Sequence, residues 1–524
     1  MDKKSASPQV VKVILVLGFL LILIRNAWVS QTVYLLFRSI ENFVQGYGLV
    51  FNPGERVLLV SQPLWPMILG AVYSLMLNVF HYSIHSQLYS IVVFFSIAVT
   101  LTTINLYAFR YSKQLLVIVT GFVVLTTSKA FVDYSTSGFE NPLIHLLIIL
   151  SFIGYDQLIN SANEDRKWVI LLPVLISVTA LLRWEAALLV LPLLVEVFSK
   201  SRNHVNINAK LAAFLPFLFF LLFTFLYYGV ILPNDLIARL HSDVGILRFI
   251  RQGSMYIFHS IDYDPVSILA IVFAWVGSLI IKERKNTPIL VGLTAYLMVV
   301  ILEGGDSLGG RMLSPAVLVG VLLISRFEMR PSQAWKMGIV VFIALGIASP
   351  LSPITSGFDY ENPDRDHRGI FDGRGLDYPL TGLLRIYRGS VNPPDSDWAG
   401  DDWQFDEYDS VMIVEGGKGY DAYRVGPNVY VLPITGIGDS LLARLPVEDK
   451  VTWDIHTLYR KVPDGYEETL LTGNNVIVCE PMADFYESVL KITTGELFSQ
   501  ERIALLFREM NPFKSASIPP TCME

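Results

Sequence analysis

Apolar residues run in long blocks through the first 350 positions and stop after Pro350. A helix crossing a hydrocarbon layer of about 30 Å needs roughly 20 mostly apolar residues, because its backbone amides find no water there. Blocks of this character predict spans near 10–28, 64–80, 88–109, 115–131, 143–159, 168–182, 186–198, 211–230, 265–281, 288–302, 316–325 and 335–348. Between the first two the period changes. Val33, Leu36, Phe37, Ile40, Phe43, Val44 and Tyr47 form a helical stripe with Arg38, Glu41, Asn42 and Gln45 opposite, the pattern of a helix lying along a membrane surface. Beyond Pro350 the apolar runs shorten to 411–414, 429–432 and 476–479 between turns, which predicts strands of a small α/β domain.

Composition sharpens this picture. Of 524 residues 52% are hydrophobic and only 17% charged, with a mean hydropathy of +0.48. A soluble globular chain carries roughly 25% charged residues, so that class is excluded. The net charge of −7 divides unevenly: positions 1–350 hold 25 Lys and Arg against 18 Asp and Glu, and the remainder holds 15 against 29. An acidic tail of that kind argues against nucleic acid as a partner. The expected fold is an α-helical polytopic membrane protein over 1–350, followed by an acidic linker at 351–410 and an extracytoplasmic α/β domain at 411–524. Two cysteines, Cys479 and Cys522, are too few for a metal-ligand set, although a disulfide between them would suit an oxidising compartment.

Positive charge in short loops marks the cytoplasmic side. Clusters at Lys3/Lys4/Lys12, Arg110/Lys113, Arg166/Lys167, Lys200/Arg202/Lys210, Lys282/Arg284/Lys285 and Arg326/Arg330/Lys336 therefore place 29–63, 132–142, 183–185, 227–264 and 303–315 outside. Treating 64–80 as re-entrant or interfacial keeps the alternation and gives about eleven crossings, with the N-terminus inside and the tail exported. The first block resembles a signal peptide, but Arg25-Asn26-Ala27-Trp28 offers no small-x-small cleavage site, which favours an uncleaved anchor.

The pointed chemistry collects in the outer segments. Asp133 precedes a stretch in which Ser137 is placed to cap a helix and Glu140 to complete a capping box. Arg183 and Glu185 interrupt two apolar runs, where ionisable groups are costly unless paired or functional. Tyr227 and Tyr228 suit an aromatic belt, and Asn234 and Asp235 follow a proline as turn residues do. The stretch from Glu303 to Pro315 holds four glycines, Gly305 among them, with Asp306 and Arg311. Its backbone amides are free to approach an anion, and Arg311 supplies a fork for phosphate oxygens. It is neither a P-loop nor a dinucleotide fingerprint. The acidic run Asp395, Asp397, Asp401, Asp402, Asp406, Glu407 and Asp409 does not have EF-hand spacing and reads as a solvated linker; Trp398 and Trp403 within it suit either sugar stacking or the tail's own core.

YSTSGFENPL, the RWE turn, YYGVILPND and GGDSLGGRMLSP, in that order, resemble the outer-face motifs of the GT-C membrane glycosyltransferases. The nearest resemblance is to the actinobacterial arabinofuranosyltransferases that add terminal β-(1→2) arabinofuranose, and to their bacterial relatives. GLVFNPGERV (48–57), GIGDSLLARLP (436–446) and the KVPDGYEETL stretch extend it over nearly the whole chain. The resemblance implies transfer of one sugar, a pentose among the possibilities, from a polyprenyl-phosphate carrier to a cell-envelope glycan on the outer face of a bacterial plasma membrane. It also implies roles: Asp306 and Arg311 at the donor phosphosugar, with Asp133, Glu140, Arg183, Glu185, Asn234 and Asp235 lining the cavity. Where relatives carry an acidic pair in the first outer loop, this chain has Gln31 and Thr32.

A sugar hydroxyl needs a carboxylate to take its proton, and a departing lipid phosphate needs positive charge. Asp306 and then Asp133 are the expected bases, and Arg311 and Arg183 the phosphate ligands. A divalent cation, Ca²⁺ or Mg²⁺, is an alternative source of charge. The rival readings are a catalytically silent relative that binds a lipid-linked sugar, which the Gln31-Thr32 replacement favours, and a lipid-linked glycan polymerase or a transporter. Against a transporter stands the lack of internal repeats.

Overall fold

The computed structural model describes residues 7–59, 64–80, 87–160, 166–200, 214–327, 333–349, 351–356, 369–394, 405, 407–415, 419–450, 455, 458–508 and 522. The chain is mainly α-helical. Four helices among the described residues are long and apolar enough to cross a membrane: Pro8–Asn26, Leu88–Tyr111, Asn141–Asn160 and Arg284–Leu302. A fifth arises if Ile246–Tyr263 and Pro265–Ile281, bent by 112°, count as one, and six further apolar helices are shorter. Lys3, Lys4, Arg202, Lys210, Arg330, Trp398, Trp403 and Asp395–Asp402 of the acidic run, with Asp406, lie outside the described residues.

Two compact units share the chain. The first takes Met1–Ser30, Val92–Phe217 and Phe249–Asn392; the second takes Gln31–Ile91, Leu218–Arg248 and Pro393–Glu524. These do not follow the expected boundaries 1–350, 351–410 and 411–524. The cause is pairing that spans hundreds of positions. In the first unit, Arg25 donates to the carbonyls of Ile354 and Ser356, Tyr378 donates to the Arg25 carbonyl at 3.0 Å, and Thr381 donates to that of Val29 at 2.7 Å. The stretch after the last apolar helix is therefore part of the helical unit, and its Gly373–Thr381 helix is largely buried.

At the centre of the first unit stands Ser314–Ile324, a helix buried at every residue. A helix that is apolar all round must be surrounded. Its neighbours are Pro265–Ile281, Leu115–Thr127, Asn141–Asn160, Thr287–Leu302 and the short Lys129–Asp133. Contacts at the helix ends fix their alternation. At one end Lys12 lies over the Phe109 ring, Tyr111 donates to Leu322, Tyr155 donates to Lys285, and Arg326 pairs with Asp156 at 2.6 Å. The helix ends carrying Lys12, Phe109, Lys285 and Arg326 thus share that end. The opposite end gathers Trp28, 133–141, 183–185, 303–313 and 369–381.

In the second unit the Val33–Val44 helix corrects an expectation. It does not lie along a membrane surface, because residues 33–42 are all buried in protein. The polar face meets carbonyls instead of water: Arg38 donates to Phe51, Val425 and Val429, and Asn42 to Val50 and Phe51. Two of the expected strands form, Ser410–Val414 and Val429–Pro433, paired in parallel with the Gly419–Arg424 helix between them. The third does not. Residues 476–479 run irregularly, with the Val478 amide bonded to Asp464. Cys479 and Cys522 form a disulfide, with Cα atoms 5.6 Å apart.

Candidate functional site

Gly305 and Gly310 allow the loop that follows the Thr287–Leu302 helix to fold tightly. Both have positive φ, +72° and +85°, and a Cβ on Gly305 would sit 2.6 Å from that of Tyr256. The Tyr256 hydroxyl in turn accepts from the Met312 amide at 3.0 Å and donates to the Leu308 carbonyl at 3.3 Å. A second brace comes from Phe371, whose amide and carbonyl pair with Ser307 and Gly309 at 2.9 and 3.0 Å. This clamp was invisible in the sequence, since nothing marks 370–372 as partner to a loop sixty positions earlier.

The braced loop brings Arg311 against Asp306, with which it forms an ion pair, and over the Phe139 ring at 4.4 Å from the centroid. Asn141, the first residue of its helix, donates to the Arg311 carbonyl at 3.2 Å. Arg183 ends the Arg166–Leu182 helix in extended conformation, bonds Glu185 through two nitrogens at 2.8 and 2.6 Å, and stands 3.6 Å from Glu140. Six expected residues, Glu140, Arg183, Glu185, Gly305, Asp306 and Arg311, therefore meet at one end of the first unit.

Their pairing is incomplete. Both carboxylate oxygens of fully buried Glu140 and one terminal nitrogen of Arg183 find no hydrogen-bond partner. Burial pushes the Glu140 carboxyl above its ordinary range, against the pull of Arg183 and Arg311. Buried polar groups are normally satisfied, so unmet ones at a cluster of charges suit a polar ligand. The expected capping box is not what engages Glu140. The helix starts at Asn141, one residue beyond Glu140, and the Ser137 hydroxyl bonds nothing.

Asp133 is drawn elsewhere. It pairs with Lys129 and, at 3.2 Å, with Arg374, while Lys129 also reaches Asp372 at 3.1 Å. All four are buried. Sequence reasoning missed Lys129, Asp372 and Arg374; the signal available was a lysine inside an otherwise apolar run. Asn234 and Asp235 belong to the second unit. Asn234 donates to the Asp439 carbonyl at 3.1 Å, and the Asp235 carboxylate accepts from the Leu236 amide at 2.9 Å. Among the described residues no group of three His, Cys, Asp or Glu could hold a metal ion.

The second unit has its own buried acid. Asp439 accepts from Tyr466 at 2.6 Å, from Tyr430 at 3.0 Å and from the Leu442 amide at 2.7 Å. Tyr430 also bonds Glu55 at 3.2 Å. Burial, aided by Asp439, pushes the Glu55 carboxyl up to about 8.

Comparison of the chain with protein-family models, with curated proteins and with solved structures returns no match.

Proposed function

We propose that the protein is a membrane glycosyltransferase that moves a monosaccharide from a polyprenyl-phosphate donor to a cell-envelope glycan. One observation carries the reading: two arginines and three acids from three loops spread between positions 140 and 311 share one cluster in which Glu140 and Arg183 have unmet bonding capacity. A phosphate diester at Arg311 competes with Asp306 for the guanidinium and releases that carboxylate beside the donor. The acceptor hydroxyl oxygen then bonds the anomeric carbon as the carbon–phosphate oxygen bond breaks. The electron pair leaves with the lipid phosphate, held by Arg311 and Arg183, and the hydroxyl proton passes to Asp306. Glu140 is placed to accept from a sugar hydroxyl.

The same reading supplies the topology. With the basic loops cytoplasmic, the cluster faces outward on about eleven crossings of a bacterial plasma membrane, the N-terminus is inside and the exported tail keeps its disulfide in an oxidising compartment. Asp133, ion-paired on both sides, serves the loop's architecture in place of the proton transfer expected of it.

The test is incubation of the purified protein in lipid with radiolabelled polyprenyl-phosphate sugars and envelope glycan acceptors. Label transferred to the glycan, abolished in Asp306→Asn, is the expected result. Undiminished transfer by that variant removes Asp306 as base; binding without transfer selects the silent relative, and flux across vesicles without transfer selects a transporter.

A further inference from the structure

The helix Ile246–Tyr263 is two-faced in an uncommon way. Its buried residues, Phe249, Gly253, Tyr256, Ser260 and Tyr263, fall on one stripe at helical spacing. At about 100° per residue, the exposed remainder splits in two. One flank carries Ile246, Leu247, Phe258 and Ile261, of which Leu247 is 77% and Phe258 59% exposed from the protein. The other carries Arg248, Arg251 and Asp262, all exposed. No carboxylate among the described residues pairs with either arginine.

After Tyr263 the chain turns by 112° into the apolar helix Pro265–Ile281, with Asp264 capping that helix through the Ser267 amide. A helix at nearly a right angle to a neighbour that runs through the membrane sector lies close to the membrane plane. This one stands at the end of the first unit where the charged cluster gathers, since its Tyr256 bonds Leu308 and Met312.

We propose that Ile246–Tyr263 is an in-plane helix at the bilayer surface, with Ile246, Leu247, Phe258 and Ile261 sunk among the acyl chains and Arg248 and Arg251 bound to the phosphates of acidic lipids. Three observations argue for this occupant. The exposed apolar flank continues directly into a membrane helix, the cationic flank borders it, and the amphipathic pattern matches interfacial segments, whose attachment combines apolar burial with attraction to anionic headgroups. The proposal rests on the helices reading as membrane spans and not on glycosyl transfer. It gives the helix a further role, because the residue that braces the loop of Arg311 sits on its buried stripe.

The two native cysteines are joined to each other, so a spin label on an added cysteine reports a single position. The full chain, carrying Leu247→Cys, Phe258→Cys, Ile261→Cys or Asp262→Cys, is reconstituted in vesicles of phosphatidylcholine alone or mixed with phosphatidylglycerol. Collision with oxygen against a water-soluble nickel chelate reads depth. Equal shallow depth at 247, 258 and 261, with 262 in water, is expected. Phosphatidylglycerol should slow the label at 258, and an added Arg248→Gln/Arg251→Gln pair should abolish that slowing. Depth that changes steadily from 247 to 261, or labels in water throughout, overturns the in-plane placement. Even depth with no response to phosphatidylglycerol overturns the role of the arginines.

Discussion

Arg311 and Arg183 share one cluster but are held differently, with Arg183 buried and Arg311 partly exposed. Arg183 is held by Glu185 through two bonds, whereas Arg311 pairs with the single carboxylate of Asp306. Replacing Arg311 with Lys keeps the charge and loses the planar fork. Donor-dependent transfer by Arg311→Lys should fall by about 10²-fold, the scale expected when one transition-state donor is lost. Arg183→Lys should cost stability as well, because Glu185 and Glu140 would be left with a poorer partner, and a melting curve beside the transfer assay separates the two effects. Glu55 makes a prediction about pH. Its carboxyl ordinarily ionises near 4.5 and is pushed to about 8 here, so the folded state keeps the proton longer than the unfolded one. The associated stability is fully present below pH 4.5 and is lost as pH rises through 8. Glu55→Gln should accordingly melt at a higher temperature than the parent chain at alkaline pH, with little difference in acid.

Elements were read from the sequence with uneven success, and the failures have physical causes. Apolar blocks gave most helices of the first unit, because a run with few charges has little alternative to burial or a bilayer. The stripe from Val33 to Tyr47 was read as a helix but placed in the wrong surroundings. Periodicity reports that two faces differ; it does not report whether Arg38 and Asn42 meet water or carbonyls at 425 and 429. The cluster of Glu140, Arg183, Glu185, Gly305, Asp306 and Arg311 was legible because charges stand out among apolar neighbours. Its second brace at Phe371 and the charges at Asp372 and Arg374 were not, since no local pattern records a partner so far away, whereas Lys129 stood out in an apolar run and was passed over. The glycine loop carries the prediction at this scale. Gly305→Ala forces a Cβ to within 2.6 Å of Tyr256 on a backbone at φ +72°, at a cost of about 1–3 kcal/mol. Thermal unfolding should shift downward, and donor binding should weaken with it, as Arg311 rides on the same loop.

The first unit as a whole depends on charges that enter it from both sides of its last apolar helix. Removing one member of a buried ion pair strands the other, at roughly 3–5 kcal/mol, whereas removing both costs less. Arg374→Met should therefore destabilise the chain more than Asp133→Leu/Arg374→Met does, which melting of the two variants beside the parent chain will check. Order of synthesis follows from the same network. A ribosome that has finished the helix Gln333–Ala348 has delivered Lys129 and Asp133 but neither Asp372 nor Arg374, and the strand-like pairing of Phe371 with the glycine loop does not yet exist. Until translation has passed Thr381, Lys129 and Asp133 have only each other, and the second pair that completes their network is missing. The newborn protein must wait for its own later residues before the loop of Arg311 gains its second brace.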